Sequence, residues 1–368
     1  MITKTITNMN IVGRILTVAW AALIFAGCEK DRDVVIESDF THGVYIINEG
    51  GFQASNGSIS YFDPSAGRIT NGIFMAANQR PLGDVVQSMA VVGDTAGFIV
   101  VNGSGKVEFV RLKDFKATSE PVPVIYPRFF LPVTLDKGYL SAGSMEGRIY
   151  VFDLHTREIT DSIIVGNGPE TLVKLNNHVF VANSGGWIVD STVSVVDINT
   201  DEVVSTILVG KVPQDLSLDR DNKLWVYCKG YAAYNPEPPY DLISETDAVL
   251  VRLDPVTGNT LWHGSVGKAG DYTAVPPKLA VSKEGDYVYY LRPEGVFRIS
   301  VENPAVSTEA LITGSYYGLE VNPEDGTLYL FESSFTGSGN LMIYDADGTP
   351  VAQGTVGIAP NGAVFNLD

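Results

Sequence analysis

Past residue 40 the chain alternates apolar and polar residues at period two, broken by turn signals, and no segment carries a helical period. "GSISYFDPSAGRIT" (57–70) reads as strand, tight turn, strand. Its Asp-Pro-x-x-Gly turn combines proline's fixed φ with glycine's tolerance of positive φ. The unit recurs as "GKVEFVRLKDFKAT" (105–118), "GRIYVFDLHTREIT" (147–160), "STVSVVDINTDEVV" (191–204) and "DAVLVRLDPVTGNT" (247–260), with weaker copies at 295–306 and 340–351. The turns open at Asp63, Arg111, Asp153, Asp197, Asp254, Ser300 and Asp345, spaced 48, 42, 44, 57, 46 and 45 residues apart. Between the copies lies a second pattern of strand, short polar turn and strand, as in "ETLVKLNNHVFVANSGG" (170–186). A repeat of this length built from four strands predicts an all-β, seven-bladed β-propeller with four antiparallel strands, A to D, per blade. The C-terminal "IAPNGAVFNLD" (358–368) reads as an A strand without followers, and the strand at 43 reads as a B strand. The two ends are therefore expected to share one blade and close the ring, making 43–368 a single domain.

In a propeller the B–C loops and the D–A connections emerge on one face. The C–D turns here are terse, whereas the presumed B–C loops are long and carry aromatics: Phe52 in blade one, Trp187 in "NSGGWIVDS" of blade four, Tyr231, Tyr234 and Tyr240 in blade five, and Phe335 in blade seven. The D–A connections add Arg80, Tyr126, Arg128, Tyr272, Tyr316 and Tyr317, with one of the last two expected to point inward. Aromatic rings mixed with arginines and backbone amides suit a large amphipathic ligand, because rings bury flat apolar surface and polar atoms set orientation. The competing role for each ring is to plug a gap between blades.

Charge narrows the partners. The formal net charge is −18, and residues 1–27 hold Lys4 and Arg14 with no acid, so the remainder is more acidic still. Such a body repels phosphate backbones, which argues against nucleic acid. The uncharged run "ILTVAWAALIF" (15–25) is too short to span a bilayer but has the length of a signal-peptide core. It leads into "FAGC", which resembles a lipobox with Cys28 as the lipidated first residue, although Phe25 stands where leucine is commoner. Residues 1–27 are thus expected to be a lipoprotein signal peptide and 28–42 an acidic linker. "EKDRD" (29–33) resembles the export signal that places some lipoproteins on the outer cell surface. With Cys28 acylated, Cys228 alone remains, so no internal disulfide forms; its place beside Leu224 and Val226 points to packing.

The stretch "VYIINEGG…GSISYFDP…QRPLGDVVQSMAVVGDTAGFIVVNGSGKVEFV" resembles surface lipoproteins with YncE-like, YVTN-type propellers. The resemblance covers most of residues 43–368, and its more specific parts are "INEG" and "RPLGDVVQSM". It implies capture of cobalamin or a related corrinoid and delivery to a TonB-dependent transporter in the outer membrane. Cobalamin would be ligand, with no cofactor implied. Fold alone does not name a ligand, so a glycan, a siderophore or a docked protein stays open.

Enzymatic chemistry has little to stand on. His42, His155, His178 and His263 fall at a strand entry, a C–D turn, an A–B turn and a D strand, without metal-ligand spacing. No nucleophile elbow and no phosphate-binding lysine loop occurs. "DRDN" (219–222) lacks the frame of a calcium loop and reads as an A–B turn. The expectation is a binding protein, with a lyase or hydrolase on the same scaffold as the rival class.

Overall fold

The computed structural model describes residues 39–367, except 144 and 274. The leader expected over 1–27 and the lipidated Cys28 lie outside the described residues. Seven four-stranded antiparallel sheets form a seven-bladed propeller. The A strands are Pro360–Asn366 in blade one, Val86–Val92, Pro127–Pro132, Pro169–Leu175, Pro213–Leu218, Leu279–Val281 and Gly318–Val321. Each touches the next around the axis, and Pro360–Asn366 touches both Gly318–Val321 and Val86–Val92, so the ring is continuous. Blade one is completed by the two chain ends: Gly43–Asn48 pairs with Ser58–Asp63 on one side and with Pro360–Asn366 on the other.

The B strand of blade one shows how blades stack. Val44 and Ile46 pack with Tyr329 and Phe331 of blade seven, while Tyr45 and Ile47 pack with Met89 and Ile99 of blade two. Successive strand side chains point to opposite faces, so a strand with a neighbour on each side must be apolar throughout. All six residues of Gly43–Asn48 are buried accordingly. The expected C–D turns form: Asp63, Asp153, Asp254 and Asp345 each accept hydrogen bonds from backbone amides two to four residues on. The Lys223 ammonium and the Thr257 and Val256 amides hold the Asp254 carboxyl down at about 2. Residues 219–223 are an A–B turn. Asp219 accepts from the Asp221 and Lys223 amides, from Trp225 Nε1 at 2.9 Å and from Arg252 Nε at 2.7 Å.

Three details depart from the sequence reading. A short helix, Ile73–Asn78, follows the three-residue D strand of blade one and buries Ile73 and Phe74. Six residues are too few to register a helical period. In blade two the D strand is Val122–Pro123, and residue 117 of the expected strand makes only an isolated bridge to Val110. Blade five carries an extra hairpin, Ala232–Tyr234 with Leu242–Glu245, between its B and C strands. The end of the expected linker is tied down as well: Phe40 is buried against Tyr61 and Phe115, and Asn366 Nδ2 donates to the Thr41 carbonyl at 2.6 Å.

Cys228 is buried among Leu224, Val226 and Val251, and burial pushes its thiol up to about 12. That environment disfavours the reactive thiolate.

Ending the chain at Ile358 removes the A strand of blade one and leaves Gly43–Asn48 as an open edge. Calorimetry is expected to show loss of the single cooperative melting transition. A truncated protein melting like the full chain would contradict closure by shared strands.

Candidate functional site

The A strands begin with a repeated irregularity. Their pairing with the B strands slips between Val86 and Ser88, Pro127 and Phe130, Pro169 and Leu172, and Pro213 and Asp215. A bulge leaves the extra residue unpaired and re-aims its side chain. The residues in these slips include Gln87, Arg128, Glu170 and Gln214, and all four line a pocket of about 220 Å³ at the axis. Lys278, Tyr317 and Asn361, at the same place in blades six, seven and one, line it too. Each blade therefore contributes at least one polar side chain to a ring at the channel mouth.

Two hydrogen-bonded chains organise the ring. Arg128 donates from Nη1 to Gln87 Oε1 at 2.7 Å, and from Nε and Nη2 to Glu170 Oε2 at 2.8 and 2.6 Å. Ser184 Oγ donates to the other Glu170 oxygen at 3.2 Å. On the far side Glu49, from the start of the blade-one B–C loop, accepts from Asn361 Nδ2 at 2.8 Å and from the Tyr317 hydroxyl at 3.3 Å. Asn361 Nδ2 also reaches the Gln87 carbonyl at 3.1 Å, which links the chains. Charge here is costly: burial pushes Glu49 above its ordinary range, against the Asn361 hydrogen bond and the Lys278 and Arg128 charges. Burial also raises Asp215, although it accepts from the Leu216 and Leu279 amides at 3.0 and 2.8 Å. Burial, aided by Asp215 and opposed by Lys278, raises Glu320 to about 8.

Beside the ring lies a cleft of about 640 Å³ between the B–C loops of blades four and five. Trp187, Ile188, Val189, Tyr231 and Tyr234 form its walls, and Glu170 and Gln214 line both it and the axial pocket. The blade-four loop is folded tightly enough to present its indole. Ser184 and Gly185 donate backbone hydrogen bonds to the Gly168 and Asn167 carbonyls, and Ile188 donates back to Gly185. Gly185 adopts φ +102°, and a Cβ there would stand 2.0 Å from the Ile188 oxygen, so the turn requires glycine. Trp187 is left 73% exposed.

The predicted residues distribute unevenly. Trp187, Tyr231 and Tyr234 share the lateral cleft, while Arg128 and Tyr317 belong to the axial pocket. Phe335 stands edge-on to Tyr317 at 5.3 Å, and Phe52 projects from the neighbouring loop with 78% exposure. Tyr126 lines a separate shallow cleft with Asn102 and Pro123. Three are bound into the scaffold instead. Tyr272 is buried at the cleft's base, its hydroxyl donating to the Val266 carbonyl and accepting from Tyr227. Tyr316 is buried against Tyr344 between blades. Arg80 pairs with the buried Glu108 at 2.5 Å and lies over the Phe74 ring, outside both pockets. Of the two adjacent tyrosines, Tyr317 is the one at the axis.

The sequence reading passed over Gln87, Glu170, Gln214, Lys278, Asn361 and Glu49. A signal was present: a proline followed directly by a polar residue at the A-strand entrance, as in Pro127-Arg128, Pro169-Glu170, Pro213-Gln214, Pro277-Lys278 and Pro360-Asn361. Proline is tolerated at the first residue of a strand, where its missing N–H breaks no ladder. Among the described residues no group of three His, Cys, Asp or Glu side chains is arranged to hold a metal ion.

The architecture and this site belong together in a recognisable class, a propeller whose loop-rich face surrounds a polar axis. The chain belongs to the family described as a domain of unknown function, DUF5074, which matches residues 42–365. No curated protein matches it in sequence. Its fold is similar to a quinonprotein alcohol dehydrogenase-like protein from Bacteroides thetaiotaomicron, at TM-score 0.60 and 14% identity over 89% of this chain and 79% of the other. A functionally unknown protein from Desulfotomaculum acetoxidans matches at TM-score 0.60 and 13% identity, over 88% and 98%. Apo AztD from Citrobacter koseri matches at TM-score 0.53 and 11% identity, over 88% and 97%. At these identities the likeness concerns the fold.

Glu320 ties the site to stability. Its folded value near 8 stands above the ordinary 4.5, so the folded state holds the proton more tightly. Its contribution is fully present below pH 4.5 and is lost as pH rises to 8. Glu320→Gln keeps an acceptor and removes the titration. Thermal melts across that window are expected to fall less steeply with pH than those of the parent protein; identical slopes would place Glu320 in ordinary solvent.

Proposed function

We propose that this protein is a non-enzymatic cell-surface lipoprotein that captures cobalamin or a related corrinoid on its loop-rich face. It then passes the ligand to a TonB-dependent transporter in the outer membrane. The observation that carries the reading is the shared wall formed by Glu170 and Gln214, which joins an aromatic cleft to a polar pocket on one face. A corrin needs both, because its ring is broad and partly apolar while its edge bears amides. Rings supply area, and convergent polar groups supply orientation. The face need not provide a cobalt ligand. A binding role is supported by the state of the central carboxylates: Glu170 is held by Arg128 and Ser184, and Glu49 by Asn361 and Tyr317. Neither is left free as a general acid or base.

Delivery requires a docking surface outside the ligand contacts. The blade-five hairpin offers one, with Tyr240, Leu242 and Ile243 exposed beyond the cleft. Docking there would leave the cleft facing the transporter's mouth. The anchor proposed at Cys28 and the export-like "EKDRD" support a position on the same membrane as that transporter.

A second reading rests on the exposed indole of Trp187. An open tryptophan beside tyrosines also stacks on sugar rings, so a surface glycan is the alternative ligand.

Titration calorimetry with cyanocobalamin tests the first reading, and no heat at micromolar protein would reject it. Trp187→Ala is expected to weaken binding about tenfold, at the upper end of one aromatic contact of ~1.5 kcal/mol. Retention of cyanocobalamin affinity by this variant would move the contact away from the lateral cleft, and polysaccharide affinity gels would reveal the glycan alternative. Cys28→Ser is expected to shift the protein from the membrane to the soluble fraction; unchanged fractionation would remove the anchor.

A further inference from the structure

The lateral cleft holds a cation that the fold leaves without a partner. Lys229 follows the buried B strand of blade five, Leu224–Cys228, and its backbone amide donates to the Val212 carbonyl at 2.9 Å. It lines the cleft together with Trp187, Tyr231 and Tyr234. The residue is half-buried, and its ammonium makes no hydrogen bond or ion pair among the described residues. Burial pulls its pKa below the ordinary lysine range, with no neighbouring charge among the described residues contributing. The acids of the region are already matched. Glu170, the one acid among the cleft's described lining residues, is held by Arg128 and Ser184. Asp190 accepts from the Asn167 and Ser191 amides and from Thr192 Oγ1. Beside the blade-five hairpin, Asp247 pairs with Lys268 at 2.5 Å, and Glu245 and Asp271 act on that same lysine. At the rim a second lysine is spare. The Lys211 ammonium lies 5.8 Å from the Tyr231 ring centroid and has no acid partner among the described residues. In a chain of net charge −18, this cleft is a place where positive charge is left over.

We infer that the lateral cleft binds an oxyanion, a phosphodiester or a carboxylate, with Lys229 as its counter-charge, carried on a ligand whose flat body packs against Trp187, Tyr231 and Tyr234. A desolvated ammonium is costly until an anion pairs with it, so binding recovers what folding leaves uncompensated. A hydrogen bond between two charged groups is also roughly twice as strong as a neutral one. An ammonium ligand would meet Lys229 and Lys211 instead of a counter-charge. A bare ion is too small, because about 640 Å³ equals roughly twenty waters at liquid density and the rings would stay uncovered. Lys278 in the axial pocket is a different case: its charge already acts on Glu49, Asp215 and Glu320.

This inference deepens the corrinoid reading and rests on it only for the identity of the parent ligand. Cobalamin carries a phosphodiester in its nucleotide loop, and cobinamide lacks that loop. Two sets of probes keep the site and the parent ligand apart. First, charge-matched pairs are titrated by calorimetry: diphenyl phosphate against its neutral methyl ester, and 2-naphthoate against 2-naphthamide. At least one anion is expected to bind about tenfold more tightly than its neutral counterpart, the scale of one charge-assisted hydrogen bond. The pair with the larger ratio identifies phosphate or carboxylate as the preferred group. Lys229→Met, checked for an unchanged melting temperature, is expected to erase that ratio, whereas Lys229→Arg and Lys278→Met keep most of it. If Lys229→Met fails to fold, Lys229→Gln takes its place. Equal binding within both pairs would overturn the anion site. A ratio that survives Lys229→Met and collapses in Lys278→Met would also overturn it, because the anion would then sit in the axial pocket. Second, cyanocobalamin and cobinamide are titrated against the same proteins. Lys229→Met is expected to weaken cyanocobalamin about tenfold and to leave cobinamide nearly unchanged. Anion preference without cyanocobalamin binding would sustain the site and reject the corrinoid. Cyanocobalamin binding unchanged by Lys229→Met, with no anion preference in the first set, would overturn the site and leave the corrinoid reading standing.

Discussion

Everything in this protein depends on closing a circle of sheets. A blade with apolar residues on both faces is stable only with a neighbour on each side, and a linear row would leave two faces bare. The pairing of Gly43–Asn48 with Pro360–Asn366 removes those ends. It joins residues more than three hundred positions apart and brings Glu49 beside Asn361. The same contact that seals the fold thus also completes the polar ring. Val44 and Ile46 serve one neighbouring blade while Tyr45 and Ile47 serve the other, so a four-residue stretch holds both seams.

The second constraint acts at the channel mouth. Seven A strands converge there, and regular pairing would send their first side chains along the blades. Slips in the A–B register release one or two residues in blades two to five and turn polar groups toward the axis. What results is a set of partly neutralised charges, with Arg128 clamped between Gln87 and Glu170 and with Glu49 capped by two donors. Burial disfavours ionised Glu49, Asp215 and Glu320, which makes the axis less negative than its composition. The net charge of −18 consequently describes the outside of the molecule better than its centre.

Loop length divides the remaining work. Terse aspartate turns on one face satisfy their own backbone amides and offer little else. The long loops of blades four and five on the other face fold on themselves and expose Trp187, Tyr231 and Tyr234. The structural neighbours share this scaffold while their names differ widely, as expected of a fold whose loops carry its function.

Blade number, shared closing blade and turn chemistry were all readable from the chain, because each is written in local periods: two within a strand, and forty to sixty residues between successive turn openings from Asp63 to Asp345. The aromatic content of the loop-rich face was readable for the same reason. Whether a given ring projects was not. Tyr316 and Tyr317 are neighbours of identical type, yet the first is buried against Tyr344 and the second faces Glu49, a choice made by partners distant in sequence. Arg80 and Arg128 looked alike, and only the fold sends one to Glu108 on a blade and the other to the axis. Local pattern set which residues stand on strands and which on loops. The assembled ring alone decided which polar side chains meet at its centre, because that meeting depends on register slips and on contacts between blades far apart along the chain.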